Sequence, residues 1–227
     1  MPQTSGTSFS KAKRHRLSVR DAVLMNALWS EYPWSWICDC VETVDEADEG
    51  RSKRVPRLEY LRYVVEQWSR SKGRILAIPK SRRMMMTWLM LALHLHLAIF
   101  NERVAVFVQS KKREDSEYLL GETRMLYIYR HLPDVLDWPE VRTKDGALLF
   151  SNGSQVIPVG QGSEQLRQYT ATAILCDEVR SWDQAEDTWT SLRPTIQGGG
   201  RITLVSSAGP GFFSRVVEGR LRDDTRH

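Results

Sequence analysis

A chain of 227 residues with 41% hydrophobic and 26% charged side chains can bury one good-sized core, which excludes an intrinsically disordered polypeptide. The formal charge of +4 permits an acidic partner such as nucleic acid without requiring one. Three cysteines, Cys38, Cys40 and Cys176, form no disulfide framework, no charged-then-apolar leader opens the chain, and the longest apolar stretch, Met84 to Phe100, is too short for a membrane span, so a reducing cytoplasm is expected.

Residues 1–16 are polar, Ser-rich and basic and read as a mobile arm. Residues 17–72 read as a helical N-terminal subdomain. From Val19 to Trp36, the apolar residues Val23, Leu24, Leu28 and Trp29 recur at helical spacing until Pro33 interrupts them. An acidic run from Glu42 to Glu49 ends in Gly50. After Pro56, the residues Leu58, Leu61, Val64, Val65 and Trp68 predict a second amphipathic helix.

From residue 73 to 227 the texture alternates between short β-rich runs and longer helical ones, the pattern of a mainly parallel sheet with crossover helices. Strands are expected at Arg74 to Ile78, Arg103 to Gln109, Ala171 to Cys176 and Arg201 to Ser206. Between the second and third lie a predicted helix, Glu114 to His131, and a hairpin, Ala147 to Val159, turning at Asn152-Gly153. A last helix starts near Gly211.

Three of these segments carry candidate chemistry. In the first, a strand runs through Pro79-Lys-Ser-Arg-Arg-Met-Met-Met-Thr-Trp88 into a helix, a geometry that aims backbone N–H groups and a helix N-terminus at a bound anion. A standard phosphate loop reads G-x-x-x-x-G-K-[ST]; here both glycines and the lysine next to the hydroxyl are missing. Thr87 stands at the magnesium-binding hydroxyl position, with Lys80, Ser81, Arg82, Arg83, Met84, Met85 and Met86 forming the loop before it. A plain strand-to-helix turn with a basic rim accounts for the same residues.

The second segment, Ala171-Thr-Ala-Ile-Leu-Cys-Asp-Glu-Val179, is an apolar strand ending in two carboxylates. A P-loop ATPase needs such a pair, Asp177 for the magnesium shell and Glu178 to orient and polarise the attacking water. The third, Arg201 to Phe213, is a β run ending in Ser206, Ser207 and a Gly-Pro-Gly turn, at the sheet edge where open α/β folds bind ligands. Ser206 and Ser207 are candidates for sensing a terminal phosphate, and a turn chosen for its geometry explains the glycines equally well.

With these segments in this order, the chain resembles the ATPase domain of terminase large subunits, the DNA-packaging motors of tailed bacteriophages and herpesviruses, from about Leu58 to Gly219, with Asn152-Gly-Ser and Leu166-Arg-Gln between the three segments. The resemblance implies an α/β, RecA-like additional-strand P-loop NTPase, a mainly parallel sheet flanked by helices with a helical N-terminal lid; the family's nuclease domain is not expected in this chain. It also implies ATP and Mg²⁺ as cofactors, Lys80 in place of the usual loop lysine with Arg83 as helper, and Thr87 and Asp177 as metal ligands. Glu178 becomes the catalytic carboxylate, Ser206 and Ser207 the coupling residues, and Arg167 an arginine acting on a neighbouring subunit's ATP. A loop arginine paired with a nearby carboxylate is the alternative for Arg167. The implied partners are double-stranded DNA, the portal protein and a small terminase subunit, in a homo-oligomeric ring built from domains that are monomers in isolation. The setting is the host cytoplasm, with no membrane. The departure is Met85, where most members keep Gly. Two other functions share some of these features: a helicase-like DNA-dependent ATPase, and a degenerate P-loop module that binds DNA or a partner without hydrolysis.

Weaker features read as structural. Cys38 and Cys40 are two thiols without a second ligand pair. His94 and His96 point to different faces of one helix, Met84 to Met86 fill a core, and Trp182 and Trp189, seven apart, share a helix face. Arg57 and Tyr60 are candidates for stacking on adenine.

Overall fold

The computed structural model describes residues 18–45, 50–82, 84–162, 166 and 170–220. The expected arm over residues 1–16, Arg83 and Arg167 lie outside the described residues.

The chain enters through α1 (Val19–Glu31) and α2 (Pro33–Cys40), then a small antiparallel pair, β1 (Glu42–Asp45) and β2 (Arg51–Arg54), then α3 (Glu59–Ser69). This region is therefore not purely helical. The start of the acidic run forms β1, whose register sets Glu42 opposite Arg54, and opposite charges across an antiparallel pair attract. Glu42 lies 3.6 Å from the Arg54 guanidinium.

The apolar stripe expected on α1 is mostly outside the core. Val23 and Leu24 are 63% and 58% exposed, and only Trp29 is buried. The face that packs inward runs through Met25 and Trp29 instead. On α3 the expected face holds, with Leu61, Val65 and Trp68 buried.

Beyond these stand β3 (Ile75–Lys80), α4 (Met86–Phe100), β4 (Ala105–Ser110), α5 (Arg113–Leu120), α6 (Met125–Arg130), β5 (Val141–Lys144), β6 (Ala147–Phe150) and β7 (Gln155–Gly160). β8 (Ala173–Asp177), a 3-10 turn over Val179–Ser181, α7 (Ala185–Gln197), β9 (Arg201–Ser207) and α8 (Phe212–Val217) complete the described chain. The main sheet has the order β3-β9-β8-β4-β7-β6-β5. Its five strands from β3 to β7 are parallel, and β6 and β5 are antiparallel additions. β9 lies between the strand of the candidate phosphate loop and the strand of the acidic pair, so the sheet is of the additional-strand, RecA-like kind.

Side-chain alternation divides each central strand between two cores. Val106, Val108, Ala173, Leu175 and Val205 face α4, while Phe107, Ile174, Cys176, Ile202 and Leu204 face α7 and α8. The strands are apolar on both faces for that reason, as buried parallel strands must be. Trp29, Trp36, Leu61 and Trp68 join the same cluster as α4, so α1, α2 and α3 pack on the core that α4 and the sheet share.

Two local features differ from the sequence reading. The single helix expected over 114–131 breaks at Gly121 into α5 and α6, which lets α6 turn onto α4. A second hairpin, β5–β6, turns at Asp145-Gly146 with φ of 50° and 77°. That pair of left-handed residues is the Asp-Gly signature of a two-residue turn, a signal present in the sequence. At the other hairpin, Asn152 donates from Nδ2 to the carbonyls of Ala98 and Asn101 (both 2.9 Å), closing the C-terminus of α4.

His94 and His96 are both buried. Since a carbonyl only accepts, His94 carries its proton on Nδ1 toward Met90 O and His96 on Nε2 toward Trp29 O, each at 2.8 Å. Burial, with the charge of Arg201 adding to it, lowers both to about 4 from the ordinary 6.5. The fold thus selects the neutral rings. Their contribution is complete above pH 6.5 and is lost as pH falls from there toward 4, on the order of 3 kcal/mol each. Urea unfolding at about pH 7, 5.5 and 4.5 should show this decline. His94→Leu should remove about half of it while costing little near neutral pH, because no described group bonds His94 Nε2. An unchanged pH profile in that variant would contradict the assignment.

Candidate functional site

In a parallel sheet the carboxyl ends of the strands lie on one edge, and the register fixes which residues meet there. Asp177 on β8 is level with Val205 on β9, and Lys80 on β3 with Ser207. The loop from Ser81 then leads into α4, whose first turn carries Thr87. Lys80, Met84, Met85, Met86, Thr87 and Asp177 line one cleft of ≈ 300 Å³, with Trp88, Tyr118 and Arg124 along its side.

Two contacts join residues distant in the chain. Thr87 Oγ1 lies 3.4 and 3.3 Å from the two oxygens of Asp177. Lys80 Nζ lies 2.7 Å from Glu178 Oε1. The first spacing is longer than the usual O–H···O range and close to the separation of about 3 Å between neighbouring oxygens on an octahedral Mg²⁺. Asp177 is 6% exposed, and burial raises its carboxyl to about 6, with Lys80 opposing the shift and Glu178 adding to it. A desolvated carboxylate beside a hydroxyl is an oxygen donor pair suited to a magnesium ion.

Met85 has φ 56° and ψ 13°, the left-handed region, where the loop hands over to α4. A non-glycine residue there costs about 1–2 kcal/mol, so the position is one that calls for glycine even though the chain supplies methionine. Met85 also provides no side-chain cap, which leaves the first N–H groups of α4 to whatever the cleft holds. Glu178, at φ 50°, takes the same conformation directly after the buried aspartate, and this turn lifts its side chain out of the strand to 47% exposure.

The remaining candidates distribute as follows. Ser81 is exposed and lines the same cleft, whereas Arg82 is exposed and does not line it. Ser206 is fully buried, and its Oγ accepts the Arg180 N–H at 2.9 Å. Ser207 ends β9 beside Lys80, half-buried. Tyr60 OH reaches the Met84 carbonyl at 3.5 Å, so it touches the loop, whereas Arg57 pairs with Asp39 on α2 at 3.0 Å. Met86 is buried in the core while bordering the cleft, and Met84 and Met85 line the cleft half-buried. Cys38 and Cys40 are buried thiols, with burial pushing Cys40 up to about 12.

Trp182 and Trp189 do not share a helix face, since Trp182 follows the 3-10 turn and only Trp189 is on α7. Trp182 has a more specific place. Its Nε1 donates to the Asp177 carbonyl at 3.1 Å and holds the strand end. Arg180 was also invisible to pattern reading. Its Nη1 donates to Ala208 O at 3.0 Å and its guanidinium lies so close to Gly209 that a Cβ there would meet it at 2.4 Å. Only the glycine in the Ser-Ser-Ala-Gly-Pro-Gly segment hinted at such an approach.

No known family profile matches the chain, and no curated protein matches it in sequence. In fold it is similar to the large terminase of bacteriophage HK97, with a TM-score of 0.59 and 10% identity over 78% of this chain and 37% of that one. It is also similar to the large terminase of a thermophilic bacteriophage, with a TM-score of 0.53 and 14% identity over 72% of this chain and 44% of that one. The chain thus has the fold of phage large terminases over that span, and it covers less than half the length of either protein. Among the described residues no helix is long and apolar enough to cross a membrane.

The backbone at Met85 can be tested directly. Met85→Gly should leave urea stability within about 1 kcal/mol of the parent, while Met85→Val, which resists positive φ, should cost at least about 1–2 kcal/mol. A valine variant as stable as the parent would mean that the loop does not adopt this turn.

Proposed function

We propose that the chain is the ATPase motor domain of a terminase-type large subunit, hydrolysing ATP to move double-stranded DNA into a procapsid. The observation that carries this reading is the meeting of Thr87 with Asp177 and of Lys80 with Glu178 at the carboxyl edge of an additional-strand sheet. The fold likeness to two phage large terminases supports it.

ATP would lie with its phosphates against the N-terminus of α4, where uncapped N–H groups and the helix dipole favour negative charge. Thr87 and Asp177 would hold Mg²⁺, which supplies charge neutralisation at the phosphates. Lys80 would grip the phosphates, with Arg83 as its helper. Lys80 is paired with Glu178, so an incoming phosphate competes for the ammonium group and frees the carboxylate. Glu178 then accepts hydrogen bonds from water and orients it toward the terminal phosphate.

Ser206 would couple the site to the rest of the domain through Arg180, with Ser207 at the strand end nearest Lys80. Arg167 would complete a neighbouring subunit's site in a ring on the portal protein, to which a small terminase subunit delivers DNA in the host cytoplasm. Tyr60, at the loop, is better placed than Arg57 to lie against the nucleotide. A degenerate module that binds without hydrolysing is favoured by the methionine at the strained loop position, and the same measurement separates the two.

ATP turnover of the chain, with and without double-stranded DNA, is the test. Glu178→Ala should lose about 10²- to 10⁴-fold in rate while still binding nucleotide. Turnover equal to the parent's would rule out Glu178 as the catalytic carboxylate, and a parent that binds ATP without any turnover would favour the degenerate module. Mixing Arg167→Ala with Glu178→Ala subunits should restore part of the activity if the arginine acts between subunits.

A further inference from the structure

The break at Gly121 that divides α5 from α6 brings Arg124 over the start of α4. The Arg124 N–H bonds Gly121 O at 3.0 Å, and the residue begins α6 with φ −140° and ψ −107°. Its guanidinium carbon lies 4.9 Å from the Trp88 ring centre and 5.2 Å from that of Tyr118, and Nη1 donates to the Thr123 carbonyl at 3.0 Å. Trp88 follows Thr87 directly and is itself held edge-on by Tyr127 at 6.3 Å. Arg124, Trp88 and Tyr118 line the same cleft as Lys80, Thr87 and Asp177.

A guanidinium held over two aromatic rings keeps its planar fork of N–H donors, which suits bidentate binding of a phosphate. Two ring faces also limit the rotamer freedom that a long side chain would otherwise lose on binding. The loop itself is short of charge at the position that needs it, because the residue before Thr87 is Met86, buried in the core. Lys80 at the loop's start is engaged with Glu178. A further cation from outside the loop is what this cleft offers.

We propose that Arg124 contacts the terminal phosphate of a nucleoside triphosphate in this cleft and that Trp88 and Tyr118 position it. The assignment rests on the ATPase reading. Arg124 lines the same cleft as Thr87 and Asp177, and contact with the terminal phosphate would let it discriminate triphosphate from diphosphate.

The test is equilibrium binding of ATPγS and of ADP, each with Mg²⁺, to the full chain and to Arg124→Ala, Arg124→Gln, Arg124→Lys and Tyr118→Ala, with urea unfolding as the check on folding. Arg124→Ala and Arg124→Gln should weaken ATPγS by about tenfold or more, a typical loss for one charge-assisted contact, and ADP by less than about threefold. Arg124→Lys should recover part of the loss. Tyr118 is 52% exposed, so Tyr118→Ala should stay folded and weaken ATPγS by about threefold through a less constrained guanidinium. If the parent binds ATPγS and the Arg124 variants change both ligands by the same factor, or neither, the assignment falls while the ATPase reading stands. If the folded parent binds neither ligand, both fall together.

Discussion

A fifteen-residue helix with no polar face has to be covered on every side, and most of this molecule's architecture follows from covering α4. The sheet takes one side of it, and α2, α6 and the aromatic residues of the N-terminal helices take the others. A helix buried along its length must also dispose of its terminal backbone groups. At the C-terminus Asn152 does so by bonding two carbonyls from the neighbouring hairpin. At the N-terminus the cap residue, Met85, contributes no side-chain bond, and the first turn of the helix borders the cleft. The same helix is thus closed at its structural end and left available at the end where Thr87 stands.

The charges at that end are engaged with one another. Lys80 is mostly buried and would be costly unpaired, and Glu178 satisfies it. Asp177 is more deeply buried, and a hydroxyl, a backbone N–H and the field of Lys80 only partly offset its desolvation, which is why its proton affinity rises. A divalent cation would relieve that penalty and a phosphate would replace Glu178 as the partner of Lys80. On the proposed reading the Lys80–Glu178 pair would compete with the ligand, and binding would have to exchange contacts as well as add them.

Glu178 is connected to the neighbouring strand through Arg180, and Trp182 ties the same turn back to its own strand. Arg180 bonds Ser206 by its backbone and Ala208 by its side chain, and Trp182 bonds the carbonyl of Asp177. Any movement of the loop after β9 must therefore involve the segment that presents the catalytic carboxylate candidate. A Cβ at position 209 would meet the Arg180 guanidinium, so any other residue there would displace that side chain from its present contact.

Local pattern was enough for the parallel strands, the turn at Asn152-Gly153 and the acidic pair at the end of β8, because apolar runs, turn residues and strand-end carboxylates are properties of neighbouring positions. The Asp145-Gly146 turn was equally legible in principle. By contrast, α1 shows apolar residues at helical spacing, yet the packed face runs through Met25 and Trp29, since a helix pattern does not say which side its neighbours will cover. Arg124 was out of reach for a similar reason, its place depending on a helix break and on a loop far upstream in the chain. The sequence by itself determined the strand-loop-helix and strand-carboxylate segments and the odd methionine in the loop. Only the tertiary structure decided that Lys80 meets Glu178, that Thr87 meets Asp177, and that the methionine occupies a left-handed backbone, because those facts depend on how strands distant in the chain are aligned side by side in one sheet.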